Sequence, residues 1–307
     1  MSFLSIYSYC QVVQSRQKPK EISRICIRAQ LLIIQDFPDE LFMNTPGTCT
    51  AFPLSRLGVL RLTGPDVLSF LQGQVTLDVS KLNKSLKPAG YCDPKGRLLS
   101  VFYLTKSDSD VLIVTSRDTA QSLCRRLTLY TLRRRVHIAV EEDFFVYGVV
   151  GTPDIPETCR RYTKGDVTLT LTQIPEKSDA DEDSWWEAAA REALPCVFLK
   201  TQGLFLPQSV NLDLTGGVTF GKGCYVGQEI VSRIHSLGTP SRRAAVYEGP
   251  SMPFNAGGDV FDDERNPRAV LIYQAGRYAL IECAVRDTPQ TLYLENGQPL
   301  TLVSQTH

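Results

Sequence analysis

The chain has 307 residues, 43% hydrophobic and 21% charged, enough to bury a sizeable core in two or three packed units. Thirty-three basic residues balance thirty-three acidic ones, so neither nucleic acid nor a membrane is expected as a direct partner, and only a local basic patch is compatible with that balance. The best apolar run, residues 31–34, is far short of the roughly 20 residues of a membrane helix.

Residues 1–42 carry Arg16, Lys18, Lys20, Arg24 and Arg28 against a single acid before Asp36 and show no sustained periodicity. They are read as an extension outside the fold, with Met43 as an alternative start. The body is expected to divide at residue 238, into an α+β region of two subdomains over 43–238 and a small β-barrel over 239–307. Residues 57–62 read as a strand, and Gly64-Pro65-Asp66 opens a short helix with Val67, Leu68, Phe70 and Leu71 at helical spacing. Asp93-Pro94-Lys95-Gly96 is a turn by its residue types, followed by a strand over 97–104. A strand over 111–115 precedes a helix capped by Ser116, with Ala120, Leu123, Cys124, Leu127 and Tyr130 on its buried side. Strands are expected over 136–140, 144–150 and 167–171, and an exposed acidic loop over 179–183. A helix then starts with Ser184 and Glu187 as a capping box, placing Trp185, Ala189 and Glu192 on one face. Past Pro240, short strands alternate with Gly249-Pro250, Gly257-Gly258, Asn266-Pro267 and Asn296-Gly297, the pattern of a small all-β unit.

The nine cysteines are isolated, the nearest consecutive pair being Cys10 and Cys26. That spacing contains no local metal-ligand motif, no metal is expected, and free thiols fit a reducing compartment. A cytoplasmic location follows, or the mitochondrial matrix if the basic extension is a transit peptide. Among the nine, Cys224 is distinctive. It lies in Lys222-Gly223-Cys224-Tyr225-Val226-Gly227-Gln228-Glu229, where two glycines allow close backbone approach and Lys222 is placed to favour a thiolate. A buried cysteine on a turn is the other reading of the same string. No histidine pairs with it by motif: His137, His235 and His307 are the only three.

This string, with P-Q-S-V-N-L-D over 207–213 and Arg242-Arg243 downstream, resembles the signature of the YgfZ-type folate-binding proteins, relatives of the glycine-cleavage aminomethyltransferases. Three further strings resemble the same family in the same order: G-P-D-V-L-S-F-L-Q-G-Q-V-T over 64–76, C-D-P-K-G-R over 92–97 and Y-T-L-R-R-R-V over 130–136. The resemblance runs from about residue 52 to the C-terminus. It implies an α+β, aminomethyltransferase-like fold in a three-part ring with a C-terminal β-barrel, tetrahydrofolate or a derivative as cofactor, and a role in assembly or repair of iron–sulfur clusters. Iron–sulfur client enzymes or assembly factors are the implied partners, tRNA-thiolating radical enzymes among them.

The resemblance also assigns residues. Glu192 is the implied pterin anchor, because a carboxylate accepts both members of the donor pair that a pterin presents. Trp185 is placed to stack on the ligand's aromatic portion, Trp186 to pack, and Arg243 or its neighbour Arg242 to meet the ligand's glutamate carboxylates. Tyr225 joins the cofactor-binding set, and Cys224 is the functional thiol. Where the transferases carry a proton-transferring aspartate after a glycine pair, the register here reaches Ser100, which cannot serve as a carboxylate base. Asp93 is out of that register and reads as a turn residue. A classical aminomethyltransferase is therefore not expected. An active one-carbon transferase with its proton-transfer group elsewhere, and a scaffold with a vestigial folate site, are the competing readings.

Overall fold

The computed structural model describes residues 50–107, 110–151, 160–175 and 178–305; the expectations about residues 1–42, Met43 and His307 lie outside the described residues. Strand β1 (Ala51–Pro53) leads into β2 (Leu57–Thr63), then helix α1 (Val67–Gln72), β3 (Lys87–Cys92), β4 (Leu98–Ser107), β5 (Asp110–Ser116), helix α2 (Arg117–Leu129) and β6 (His137–Glu141). These strands other than β1 form an antiparallel sheet in the order β3-β4-β5-β2-β6. Successive strand residues point to opposite faces, and here both faces are apolar. Leu60, Leu62, Phe102 and Leu104 pack with Leu123 and Leu127 of α2, whereas Val59, Val101, Tyr103 and Val114 join a second core. Ser116 sits at the α2 N-cap, but its hydroxyl donates to the Asp118 carboxylate rather than capping the backbone. Tyr130, expected on the buried side of α2, is the residue that ends the helix and stands 49% exposed.

The second core is shared with a four-stranded sheet, ordered β1-β7-β9-β8, from β7 (Phe145–Val150), β8 (Arg160–Lys164) and β9 (Val167–Thr172). Strand β8 was not legible in the sequence. Its Arg-Arg-Tyr-Thr-Lys run lacks apolar alternation because it is an edge, paired with β9 alone among the described strands, where charged side chains blunt further strand pairing.

Helix α3 (Glu182–Arg191) starts earlier than the Ser184 capping box implies. Asp181 is the N-cap and its carboxylate accepts from the Asp183 N–H at 3.1 Å, so the acidic stretch forms the first turn, where it complements the helix dipole. Glu187, freed from capping, accepts the Arg277 N–H at 3.0 Å. Trp185 and Trp186 are both fully buried. Trp186 lies 5.3 Å from Phe254 and 5.6 Å from Tyr273, ring to ring, fastening α3 to the strands that follow.

After α4 (Gln228–Ser236), strands β10 (Arg242–Ala256), β11 (Asp259–Phe261), β12 (Pro267–Ala284), β13 (Thr291–Tyr293) and β14 (Pro299–Gln305) close a barrel in the order β10-β12-β11-β13-β14. Its interior is filled by Tyr247, Val260, Leu271, Ile281 and Leu292. Gly249-Pro250, read as a strand separator, instead lies within β10 at a register shift between Glu248 and Met252, as glycine and proline do at bulges. The α+β class and the C-terminal barrel are both present.

Candidate functional site at the Cys224 loop

The Cys224 string is the approach to α4, and its shape is fixed by Gly227. This residue is the helix N-cap with φ 83°, in the left-handed region. A Cβ there would lie 2.5 Å from the Asp93 carbonyl oxygen and 2.8 Å from Gly96 Cα. Only glycine fits, and what it approaches is the turn of the 92–97 string rather than open space. That turn is held from within: the Asp93 carboxylate accepts the N–H groups of Lys95 at 2.8 Å and Arg97 at 2.9 Å. Asp93 is thus a turn residue, as its position before Pro94 suggests. Gly223 differs from Gly227, since a Cβ there would meet nothing within 4 Å.

The 64–76 string also reaches this loop. Lys222 Nζ donates to the carbonyls of Val75 at 2.7 Å and Leu77 at 2.8 Å, and it lies 5.2 Å from the centroid of the Tyr225 ring. Burial pushes its pKa down to about 8, against the attraction of Asp78. The lysine is therefore an anchor, and no hydrogen bond joins it to the thiol it was expected to activate. Thr76, the last residue of the 64–76 string, donates from Oγ1 to the Gly217 carbonyl at 2.5 Å and accepts the Gly90 N–H at 2.8 Å. No periodicity marks this threonine as a support of the loop.

Cys224 itself is exposed, whereas Cys92, Cys124, Cys196 and Cys283 are buried. Burial raises the thiol pKa of all four, that of Cys283 to about 11. Cys224 lines an open depression of about 600 Å³ with Pro94, Tyr225, Gln228, Glu229 and Ser232. Tyr225 is 7% exposed, with a buried hydroxyl that has no hydrogen-bond partner among the described residues; burial holds that hydroxyl well above the ordinary tyrosine range. Gln228 opens α4 and Glu229 lies in its first turn, where a carboxylate suits the helix dipole. His235 stacks on Phe220 with 3.6 Å between centroids and makes no hydrogen bond to Cys224. His137 is exposed on β6, outside this depression.

The other candidates are distributed differently. Arg243 is buried and makes a bidentate pair with Asp213, Nη1 to Oδ1 at 3.0 Å and Nη2 to Oδ2 at 2.9 Å, while Nη1 also donates to the Gln208 carbonyl. It ties β10 to the 207–213 string, a commitment that competes with the expected contact to ligand carboxylates. Its neighbour Arg242 pairs with Glu282. Trp185 is also displaced from its expected role: it is 0% exposed, and its ring lies so close to Gly148 that a Cβ there would fall 2.3 Å away. Glu192 ends α3 with a side chain 24% exposed, its carboxylate in an ion pair with Arg191 Nε at 3.6 Å and without a hydrogen bond among the described residues. Its backbone carbonyl accepts from Lys164, and Gly165 lies against its Oε2. Ser100 is buried within the first sheet, its Oγ 2.8 Å from Thr115 Oγ1, where it faces another hydroxyl rather than a cleft.

Comparison with known proteins rests on sequence relatives and on fold, since no family model matches the chain. It is 29% identical over 207 residues to an uncharacterized protein of Haemophilus influenzae, covering 64% of this chain and 72% of that one. It is 29% identical over 221 residues to the tRNA-modifying protein YgfZ of Colwellia psychrerythraea, covering 62% and 68%, and 28% identical over 244 residues to that of Photorhabdus laumondii, covering 68% and 74%. The chain is a relative of the YgfZ proteins. Its fold is that of the glycine cleavage system aminomethyltransferase T from Bartonella henselae, with a TM-score of 0.63 over 84% of this chain and 85% of the other at 14% identity. The YgfZ-like strings over 64–76 and 92–97 are thus the supports of the Cys224 loop, while the string over 130–136 lies elsewhere. Among the described residues, no helix is long and apolar enough to cross a membrane.

Proposed function

We propose that the chain is a tetrahydrofolate-binding accessory protein that supports assembly or repair of iron–sulfur clusters in client enzymes, including those that thiolate tRNA. The observation that carries this reading is the exposed Cys224 thiol on a loop fixed by two other YgfZ-like strings. The names of the relatives, tRNA-modifying proteins, fit clients of that kind, and the aminomethyltransferase fold fits a folate. Of the residues assigned to the cofactor, Glu192 fits: its carboxylate is partly exposed and, among the described residues, held only by a loose ion pair with Arg191 at 3.6 Å, which leaves room for the paired N–H donors that a pterin supplies when bound. Trp185 and Arg243 do not fit, being occupied by packing and by Asp213. Ser100, turned toward Thr115, supports a binding role over transferase chemistry, which needs a group able to move a proton.

Calorimetry with tetrahydrofolate tests the reading. Glu192→Gln keeps the shape of the side chain and removes its charge, and it should weaken binding by about 1.5–3 kcal/mol, the worth of a charged hydrogen bond. Equal affinity in a folded variant removes Glu192 from the site. No retention by the wild-type chain removes folate from the function.

A further inference from the structure

The 130–136 string takes no part in the Cys224 loop. Its backbone docks on the start of α1, where the Arg135 N–H donates to Asp66 Oδ2 at 2.8 Å and Gly64 closes against the Arg135 carbonyl. Its side chains, apart from Val136 on the core, turn outward. Residues 125–135 contain five arginines and no acid. Arg134 touches Ser69 and Arg135 pairs with Asp66, whereas Arg133, at φ 64°, has no partner among the described residues. A non-glycine residue held in the left-handed region is strained, and such strain collects at functional surfaces.

The same stretch is the most apolar part of the exposed surface. Of ten large hydrophobic residues standing exposed among the described residues, five (Leu129, Tyr130, Leu132, Val140 and Phe145) fall between positions 129 and 145. Leu132 reaches 82%. The loop leads directly into β6, the last strand of the five-stranded sheet, which pairs with β2 and with no other strand among the described residues. Beyond the end of β6 the sheet leaves a slot of about 280 Å³ lined by Leu57, Gln121, Val140, Phe144 and Phe145. An unpaired strand edge, an arginine cluster at one end and an apolar slot at the other form a continuous track.

We propose that this track docks an extended, acidic segment of a partner protein, which adds as a strand along β6, sets carboxylates against Arg133 and Arg134 and places an apolar side chain in the slot. Strand addition brings both donors and acceptors to the backbone groups that β6 does not pair with β2, which a phosphate backbone cannot do because it offers acceptors only. Arginine forks take carboxylates bidentately, and exposed Leu129 and Leu132 are covered by a partner's apolar groups. The unpaired arginine stands at the loop end and the apolar lining at the slot end, which fixes the polarity of the segment: acidic toward the loop, apolar toward the slot. The surface is separate from Cys224 and Glu192 and does not depend on folate binding.

Fluorescence anisotropy of the full chain tests the proposal with two labelled peptides, Asp-Glu-Asp-Val-Thr-Val-Thr-Phe and the same residues in reverse order, covering both strand directions. One of the two should bind. Arg133→Glu combined with Arg134→Glu should weaken it by roughly tenfold or more, and methylation of alternate peptide amides, which requires no change in the protein, should abolish it. Binding of neither peptide, equal binding of the methylated form, or indifference to charge reversal overturns the proposal. A uridine oligonucleotide that binds through Arg133 and Arg134 more tightly than either peptide would assign the surface to RNA and overturn it too.

Discussion

The loop around Cys224 is held by contacts that end on backbone groups, and helix α3 is held by contacts between large side chains. In the loop, Gly227 approaches the Asp93 carbonyl, Lys222 reaches two carbonyls and Thr76 two more backbone groups, so that Cys224, Gln228 and Glu229 are left at the surface. In α3, Trp185 and Trp186 are buried completely, and its partly open acids Glu182, Asp183 and Glu187 are engaged by Arg56 and by the Arg277 N–H, which leaves Glu192 at its C-terminal end. A region that packs through its backbone leaves its side chains free for chemistry, whereas one that packs through its largest side chains has few left. The two regions should therefore fail in different ways when altered.

The largest effect is expected in α3. Trp186 is in ring contact with Phe198, Phe254 and Tyr273, and Trp186→Ala should cost about 3–5 kcal/mol, as truncation of large buried aromatics does. Denaturant titration measures it, and a loss below about 1 kcal/mol would mean that the helix is not fastened to the barrel through this ring. The loop should be broken by something much smaller. Gly227→Ala adds one methyl group at φ 83° and 2.5 Å from a carbonyl oxygen, and should cost about 1–3 kcal/mol from backbone strain alone. Gly223→Ala, with open space around it, should be silent in the same titration. Equal effects at the two glycines would contradict the packing of the loop on the Asp93 turn.

How much of this was legible depended on what kind of signal each residue leaves. The sheet strands are readable because apolar side chains recur on both faces, and Asp93-Pro94-Lys95-Gly96 because turns demand particular residue types. Strand β8 was hidden by its charges, and the start of α3 by two competing caps of which Asp181 prevailed. The Cys224 string was visible as a string, yet its physics was misassigned: Lys222 lies near the thiol in sequence, while its ammonium is bound to the segment after α1. Arg243 could not be told from a ligand-binding arginine, because its partner Asp213 is thirty residues away in sequence. Sequence distance conceals side-chain commitments of this kind.

Lys222 sharpens the comparison through pH. Its folded-state pKa, lowered to about 8, lies below the ordinary lysine value of about 10.4 expected in the unfolded chain. Between those two values the unfolded state binds more protons, so the contribution of this lysine to stability rises as pH increases from about 8 to about 10.4 and is constant below that window. The difference in stability between wild type and Lys222→Met should therefore shift in favour of wild type across that range. A flat difference would place the ammonium in water rather than on the carbonyls of Val75 and Leu77.

Cys224 should give the smallest change in stability and the sharpest separation of packing from function. Its side chain is exposed, so Cys224→Ala removes little buried volume and should alter unfolding by less than about 1 kcal/mol. Tetrahydrofolate affinity should also persist, since Glu192 belongs to a different element. A thiol used for exchange, redox sensing or transient metal contact cannot be replaced by a methyl group, and the same variant should fail to restore iron–sulfur enzyme activity in cells lacking their own YgfZ protein. Limiting thiol reagent followed by peptide mapping supplies the physical control. Cys224 should be labelled ahead of Cys92, Cys124, Cys196 and Cys283, which are shielded and whose pKa values burial raises. If Cys224→Ala restores full activity while Cys224 remains the first residue labelled, the thiol is accessible without being used, and the loop's role passes to the polar groups beside it, Gln228 and Glu229.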